Sequence, residues 1–287
     1  MLARQALAGE PADVELDAAG ALMHGRTYSA WAAHSLIIHG RSLYARRNIK
    51  RRTLDALLQA LAGAAGLIVS ADRQLVEIVW LSLKVSLSAV VFATLFGLPL
   101  GAAIAIGRFP GRRAVVVLLN ALMGLPPVVV GLFVYLMLSR AGPLGALGLL
   151  FTPPAMVIAQ TILILPIIAA LCRQAVEDAW IEYEEQLRSL GARGFGAALT
   201  LVWDIRFSLL TAILAGLGRA SAEVGAVMIV GGNIDGVTRV MTTTIALETS
   251  KGDLPLALSL GIVLIALVIA LNAVAHIVKD AAQRRYG

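Results

Sequence analysis

Charged residues, cysteine and histidine are scarce in this sequence. Only 15% of its 287 residues are charged and 59% are hydrophobic, whereas a soluble globular chain has about 25% charged residues. The single cysteine, Cys172, excludes a disulfide framework and a cysteine metal site. The four histidines lack the spacing of metal ligands. The composition therefore predicts an integral membrane protein, with no metal site and no cofactor.

Motifs for ATP binding, catalysis and nucleic-acid binding are also missing. The sequence has no phosphate-binding loop of the form G-x-x-x-x-G-K-S/T. It has no paired acids, histidine cluster or nucleophile with a base, as a membrane enzyme would need. Basic and aromatic residues do not interleave as they do on RNA-binding surfaces. We therefore expect a protein that is not an enzyme, binds no nucleic acid and takes its energy from elsewhere.

Long apolar runs are what the sequence does contain, and a membrane-spanning helix needs about 20 such residues. Five runs qualify, at 78–106, 114–138, 155–171, 209–230 and 254–278. They predict an all-α membrane protein with five core transmembrane helices. Pro126 and Pro127 interrupt the second run, where they should bend the helix. Bends near the middle of a membrane often frame transport pathways, so both prolines are pathway candidates.

The loops between these runs indicate their orientation. Arginines concentrate in segments 107–113 and 173–206, and basic residues also in the C-terminal segment 279–287. By the positive-inside rule these segments are cytoplasmic, and the loop at 231–253 is external. The sequence thus predicts a multi-pass protein of the plasma membrane, the inner membrane in bacteria, with a cytoplasmic C-terminus.

The N-terminal quarter fits this scheme less well. Residues 1–53 are mixed and end in a basic run, which predicts a disordered extension or a wrongly assigned start near residue 49. Residues 54–71 are apolar but short, so six spans and five spans are equally open, and an interfacial helix is a third possibility. We divide the chain into this extension, a transmembrane domain at 54–280 and a basic cytoplasmic tail at 281–287.

A charged segment at 182–204 lies between two spans. Glu184 and Glu185 are four and three residues before Arg188, so either acid can pair with it on one helical face. Gly191 permits a turn that other residues resist, and apolar residues at helical spacing follow it. The pattern predicts a helix, a turn and a second short helix.

This segment resembles the cytoplasmic loop of ABC-importer permeases. Glu185, Gly191 and Leu201 occupy the Glu, Gly and apolar positions of that loop, whereas Trp203 and Asp204 replace its Leu and Pro. The resemblance implies a coupling helix that docks into a groove of a separate ATPase, with Phe195 as the apolar plug. The contact residues that it implies are Glu185, Arg188, Leu190, Gly191, Ala192 and Phe195.

Two further stretches, residues 120–145 and 218–253, resemble the permeases of molybdate, tungstate and sulfate importers, and tungstate permeases most. The second contains the run Gly-Asn-Ile-x-Gly-x-Thr at 232–238. The resemblance implies the type I ABC-importer permease fold and oxyanion import. Its implied partners are ATP-binding subunits, an extracytoplasmic binding protein and a second permease copy. A self-sufficient secondary carrier or channel for a small anion is the alternative, although no internal repeat supports it.

Five other residues are candidates for the transport pathway or its gate. Glu223 lies within an apolar run, where a charge is costly, and Arg219 four residues earlier can neutralise it. The pair either lines the pathway or is a structural ion pair between helices. Asn233, Thr238 and Arg239 in the outer loop either guide an oxyanion or form a turn that docks the binding protein. Gly218, Ala222 and Ala226 are spaced as a small-residue ridge for helix packing.

Overall fold

The fold is known from a computed structural model, which describes residues 73–189 and 195–286 and six helical residues between 58 and 66. The chain divides into two units, residues 1–59 and residues 60–287, and the helices named below belong to the second. The N-terminal extension and most of the segment 54–71 lie outside the described residues. The sixth span therefore stays a prediction.

Nine α-helices lie in the described residues from 73 to 286, which contain no strand. They are α1 (Arg73–Ile106), α2 (Arg112–Leu122), α3 (Pro127–Leu138), α4 (Pro153–Ser189), α5 (Phe195–Asp204), α6 (Arg206–Ser221), α7 (Gly225–Gly231), α8 (Met241–Lys251) and α9 (Leu254–Tyr286). A 3₁₀ turn at Gly145–Leu147 lies between α3 and α4.

Three of these helices are long and apolar enough to cross a membrane, at Leu75–Ile106, Pro153–Gln186 and Leu254–Ala281. The pairs α2–α3 and α6–α7 each pass the same test as one bent span, which allows up to 5 spans in the described residues. The prediction of an all-α integral membrane protein is confirmed. The five predicted runs coincide with these three helices and two bent pairs.

The bend in the second span lies where the sequence predicts it. α2 ends at Leu122, Pro126 is extended and Pro127 is the first residue of α3. Proline lacks an N–H but suits the first position of a helix, so the pair ends one helix and begins another. The axes of α2 and α3 differ by 100°.

Helix α4 is the centre of the fold, and α1 makes its most extensive contact with it. Gly101 makes close approach possible, because a Cβ atom there would lie 2.4 Å from the backbone oxygen of Ala169. Gly97, four residues earlier on α1, faces Ile168 in the same way. The sequence GLPLG is thus a small-residue motif for helix contact, although our sequence analysis did not single it out.

The remaining helices pack on other faces of α4. One buried cluster joins α4 to α1 and α6, and contains Ala89, Val90, Ala93, Ile164, Ile168, Leu217 and Ala220. A second joins α4 to α3 and α7, and contains Val130, Val134, Leu138, Ala155, Ala159, Leu163, Ala226 and Val230. Both bent spans are therefore held against one continuous helix.

Two parts of the chain differ from the sequence prediction. The fourth run is not one helix, because it breaks after Ser221 and resumes at Gly225 with a bend of 59°. The predicted small-residue ridge is therefore wrong: Ala226 packs against Gly131 of α3, whereas no atom lies within 4 Å of a Cβ built on Gly218. The outer loop also contains a helix, α8, which the sequence analysis missed.

Candidate functional site

The segment predicted to couple the protein to an ATPase is flanked by two helices. α4 ends at Ser189 and α5 begins at Phe195, so the two predicted helices are confirmed, while the predicted turn between them lies outside the described residues. Leu190, Gly191 and Ala192 lie outside the described residues, and so do the side chains of Arg188 and Phe195. Their contacts with an ATPase stay predictions.

Helix α5 is fixed to α4 by Leu201. This side chain is buried in a cluster with Cys172, Val176 and Ala179 of α4. In the resemblance to the cytoplasmic loop of ABC-importer permeases, Leu201 occupies the apolar position. In the structure it packs inside the protein. Trp203 on the same helix is instead 72% exposed, and the guanidinium carbon of Arg206 lies 5.3 Å from its ring centroid.

The last three turns of α4 present an exposed face next to this segment. Ile181 is 80% exposed, and Glu182, Glu185 and Gln186 on the same part of the helix are also exposed. Glu184 is partly covered and pairs with Arg108 of the loop between α1 and α2, at 3.6 Å. The face therefore combines an apolar side chain with acidic neighbours, and Glu185 is part of it.

A second ion-pair cluster lies farther from the break on α4. Arg112, the first residue of α2, pairs with Glu177, which also pairs with Arg173. Arg112 also donates from Nε to the backbone oxygen of Ile104 at 2.9 Å and from Nη2 to that of Ala105 at 3.0 Å. These carbonyl groups belong to the last turn of α1, where helices lack internal donors. The sequence analysis used Arg112 only as a marker of orientation.

Glu223 lies in the break between α6 and α7 and is 3% exposed. Its carboxylate accepts a hydrogen bond from Arg219 at 2.6 Å and another from the backbone N–H of Ala226 at 3.0 Å. Its backbone oxygen accepts one from the hydroxyl of Thr242, the second residue of α8, at 2.8 Å. The predicted pairing of Arg219 and Glu223 is confirmed, and the acid also caps α7.

The two bent spans meet at their breaks. A Cβ atom on Gly225, the first residue of α7, would lie 3.1 Å from a methyl group of Val128 and 3.7 Å from Cβ of Pro127. Pro127 is the first residue of α3. The structure therefore brings the neighbourhood of Pro126 and Pro127 together with that of Glu223, although they are far apart in sequence.

The outer loop forms the tight turn that the sequence predicts. Asn233 has a positive φ of 50°, as do its glycine neighbours Gly232 and Gly236 at 71° and 68°. Thr238 is fully buried, and its hydroxyl donates to the backbone oxygen of Gly231 at 2.6 Å and accepts from the N–H of Ile234 at 2.9 Å. This threonine thus closes the turn internally.

Arg239 is also engaged within the turn, where it pairs with Asp235 at 2.9 Å. The hydroxyl of Thr243 accepts from the N–H of Val240 at 3.1 Å, at the start of α8. Thr238 and Arg239, which we considered as guides for an oxyanion, therefore have internal partners. This geometry supports the alternative reading, in which the loop is a structured turn.

Comparison with known proteins gives the family. The sequence pattern of the binding-protein-dependent transport system inner membrane component matches residues 97–287, which is more than half of the chain. The chain belongs to this family. It is therefore a permease, a multi-pass membrane component of a transport system rather than an enzyme. The match begins in the second half of α1 and includes every later helix.

Three relatives align with most of the permease. A probable anion ABC transporter permease protein of Haloferax volcanii is 41% identical over 218 residues, which cover 74% of this chain and 94% of the relative. A tungstate uptake system permease protein of Peptoclostridium acidaminophilum is 39% identical over 79% of this chain and 100% of its own length. The tungstate uptake system permease protein of Campylobacter jejuni is 36% identical over 80% of this chain and 97% of its own length.

Permeases of sulfate and molybdenum transport systems match at lower identity. The resemblance to permeases of molybdate, tungstate and sulfate importers is thus confirmed. The residues that carried it, the Glu185–Gly191–Leu201 register and the run at 232–238, lie in the part matched by the family pattern.

A small cavity with several polar side chains in a mainly apolar lining lies between α1, α4, α6, α7, α8 and α9 of the permease. Its volume is about 30 Å³, enough for about one water molecule. Gln160 of α4 lines it and donates from Nε2 to the backbone oxygen of Ala220 at 3.2 Å, while its Oε1 atom has no hydrogen-bond partner among the described residues. The other polar side chains around the cavity are Ser82, Ser86, Ser221, Glu223 and Thr242. The sequence analysis did not single out Gln160, whose signal was an amide inside an apolar run.

Proposed function

We propose that this permease is the membrane subunit of an ATP-driven importer for an oxyanion, with tungstate as the first candidate and molybdate or sulfate next. Two tungstate uptake permeases align over almost their entire lengths, and a third relative is described as an anion permease. Aromatic faces for stacking on a sugar are absent from the sequence between Phe207 and Tyr286, which also favours an inorganic anion.

The energy for transport comes from a separate ATP-binding subunit that docks on the segment between α4 and α5. The observation that carries this proposal is the continuity of α4, which runs as one helix from the core of the fold to Ser189. The acids and the exposed Ile181 at its distal end suit an interface with a partner that offers basic and apolar side chains. Leu201 holds α5 in place beside it.

Two copies of the permease form the transport unit, and each carries one ATP-binding subunit. The basic loop at 107–113, the segment between α4 and α5 and the C-terminus face the cytoplasm, while the turn at 231–240 faces an extracytoplasmic binding protein. Binding of ATP moves the segments between α4 and α5 and opens the pathway outward, and hydrolysis returns it to the inward-facing state.

Uptake into proteoliposomes tests this function. The vesicles contain the permease, its ATP-binding subunit and its binding protein, and tungstate uptake is measured with ATP and with a non-hydrolysable analogue. We expect uptake with ATP but not with the analogue. Excess unlabelled tungstate should compete with the labelled tungstate, whereas maltose and an amino acid should not. Uptake without ATP would instead identify a secondary carrier or channel, and ATP-driven uptake of an uncharged solute alone would exclude an oxyanion as substrate.

A further inference from the structure

Two helices of the permease expose faces of opposite character. The exposed side chains along α1 are mostly large and apolar and include Val76, Trp80, Leu87, Val91 and Leu95. Along α6 and at its C-cap the exposed residues are small or carry hydroxyl groups: Ser208, Thr211, Ala215 and Ala222. Of these, Thr211 accepts a hydrogen bond from Lys279 of α9 at 3.1 Å. Lipid tails are matched by large apolar side chains, whereas small and polar residues gather where helices meet other protein or water. The α6 face is therefore not a lipid-facing surface.

Arg219 lies on this α6 face. Its position continues the helical spacing of 208, 211 and 215, and its side chain is 30% exposed although Glu223 beside it is buried. A Cβ atom on the preceding Gly218 would meet open space. A helix whose exposed side chains are small thus carries a partly exposed guanidinium near its end.

The depth of Arg219 makes contact with lipid tails costly. It is about 20 Å along α6, at a rise of 1.5 Å per residue. Leu217 and Ala220 on either side of it pack in one cluster with Ala89 and Ala93 of α1, so it lies well inside the span. An arginine at such depth costs about 2.5–3.5 kcal/mol if it faces lipid.

Lys84, the exposed cation within the apolar part of α1, differs in this respect. It lies about 17 Å from the start of a helix about 51 Å long, one turn from the exposed Trp80. A tryptophan is typical of a membrane interface, and the long side chain of Lys84 can extend from one turn deeper to that level. Lys84 therefore needs no aqueous surface within the span, whereas Arg219 does.

Glu223 fixes the guanidinium from behind. The acid is buried, accepts from Arg219 and from the N–H of Ala226, and is attached to α8 through Thr242. Arginine has five N–H donors in a planar fork, so an arginine whose one edge binds a carboxylate still presents donors elsewhere. Such a fork matches the oxygen atoms of a tetrahedral anion.

We propose that Arg219 contacts the oxyanion as it crosses the membrane along the exposed face of α6, and that Glu223 is the residue that positions it. This inference rests on the proposed oxyanion import and names the side chain that meets the anion. The small residues at 208, 211, 215 and 222 form the surface beside which the anion passes.

Thiol labelling in the assembled complex tests this placement. Ala215→Cys and, as a control on the lipid-facing helix, Leu95→Cys are made in a chain with Cys172→Ala, and each is treated in liposomes with an anionic and a cationic methanethiosulfonate. We expect labelling at least ten-fold faster at position 215 than at 95. Absence of labelling at 215, or a spontaneous disulfide there between two copies, would overturn the proposal because the face would be buried in a protein contact.

The charge of Arg219 is tested at the same position. The measured quantity is the labelling rate with the anionic reagent divided by the rate with the cationic reagent. Adding Arg219→Gln to Ala215→Cys should lower this ratio about ten-fold, whereas the matched change Arg239→Gln should leave it unchanged. Glu223→Gln should raise the ratio, because it removes the negative charge behind the arginine. An unchanged ratio in Arg219→Gln would show that Arg219 is only structural.

Transport separates this inference from the proposed function. In proteoliposomes Arg219→Gln should lose at least nine-tenths of ATP-driven tungstate uptake, with Arg219→Lys in between. If the unmodified permease carries no oxyanion, the proposed function fails whatever the labelling shows. If it carries tungstate and Arg219→Gln carries it equally well, the role of Arg219 fails alone.

Discussion

Arg112 of α2 and Glu177 of α4 form an ion pair across 65 residues of sequence, beside the last carbonyl groups of α1. Three helices thus meet at a single guanidinium, which donates to two backbone oxygens and one carboxylate. Because Glu177 also belongs to the helix that leads to the proposed coupling segment, this contact fixes that helix to the first two spans.

Arg112→Gln should weaken this junction. It removes donors from the backbone oxygens of Ile104 and Ala105 and leaves Glu177 with Arg173 alone, and hydrogen bonds to charged groups are worth about 1.5–3 kcal/mol each. Because the pair is partly exposed, we expect a loss of about 1–2 kcal/mol. The buried Cys172 becomes accessible on unfolding, so a thiol-reactive dye reports the melting temperature in detergent. Arg113→Gln, which changes an exposed neighbour, is the control and should melt like the unmodified protein.

Gly101→Val should separate α1 from α4. The atom closest to a Cβ at this position is a backbone oxygen 2.4 Å away, and a backbone atom cannot rotate aside as a side chain can. Overpacking of this kind lowers the stability of a protein by about 1–3 kcal/mol or more. The melting assay with Cys172 measures the loss. Gly261→Val is the matched control, since no atom lies within 4 Å of its Cβ position. Equal melting temperatures for the two variants would contradict the close contact.

Glu223→Ala should be far more damaging than the loss of an exposed pair. It leaves Arg219 without its carboxylate inside the span and α7 without its side-chain acceptor, and breaking a buried pair costs about 3–5 kcal/mol. Glu223→Gln keeps an acceptor and should cost less. Asp235→Asn removes the acid that pairs with Arg239. The Asp235 side chain is 60% exposed, so this change should cost under about 1 kcal/mol. The yield of folded protein after size-exclusion chromatography ranks the three variants, and the reverse order would refute the assignment.

The coupling segment is tested with Gly191→Val and Phe195→Asp. A β-branched residue resists the turn, and a carboxylate cannot be buried in an apolar groove without cost. Both variants should insert normally, melt like the unmodified permease and lose ATP-driven uptake. Gly196→Ala, at an exposed position with open space around it, should transport normally. Full transport by both test variants would remove the assignment of this segment.

The sequence predicted the features of this fold that depend on local chemistry. The apolar runs match the helices because span length is set by the thickness of the bilayer. Pro126 and Pro127 mark a bend because proline acts on its own backbone. Glu223 and Arg219 pair because four residues bring their side chains to one face of a helix.

Other features depended on contacts that no local pattern reveals. The break after Ser221 contains no proline, and it is held by the carboxylate of Glu223 and the hydroxyl of Thr242 from a distant helix. Arg112 and Glu177 meet only because α1, α2 and α4 pack together. Thr238 of the outer loop looked like a ligand for an anion, but its partners are backbone groups of the same turn. Whether a polar group is already engaged is decided by tertiary structure.

The length of α4 has a mechanical consequence. Its 37 residues extend about 55 Å, whereas the hydrocarbon core of a membrane is about 30 Å thick. About 25 Å of the helix therefore lies outside the core. Pro166 is a point where the helix can bend, because one backbone hydrogen bond is missing there. Ser189 lies about 35 Å along the helix from that point, so a tilt of about 10° there would displace the outer end by about 6 Å. Small rotations among the packed spans would thus move the end of α4 at Ser189 by about the length of a side chain.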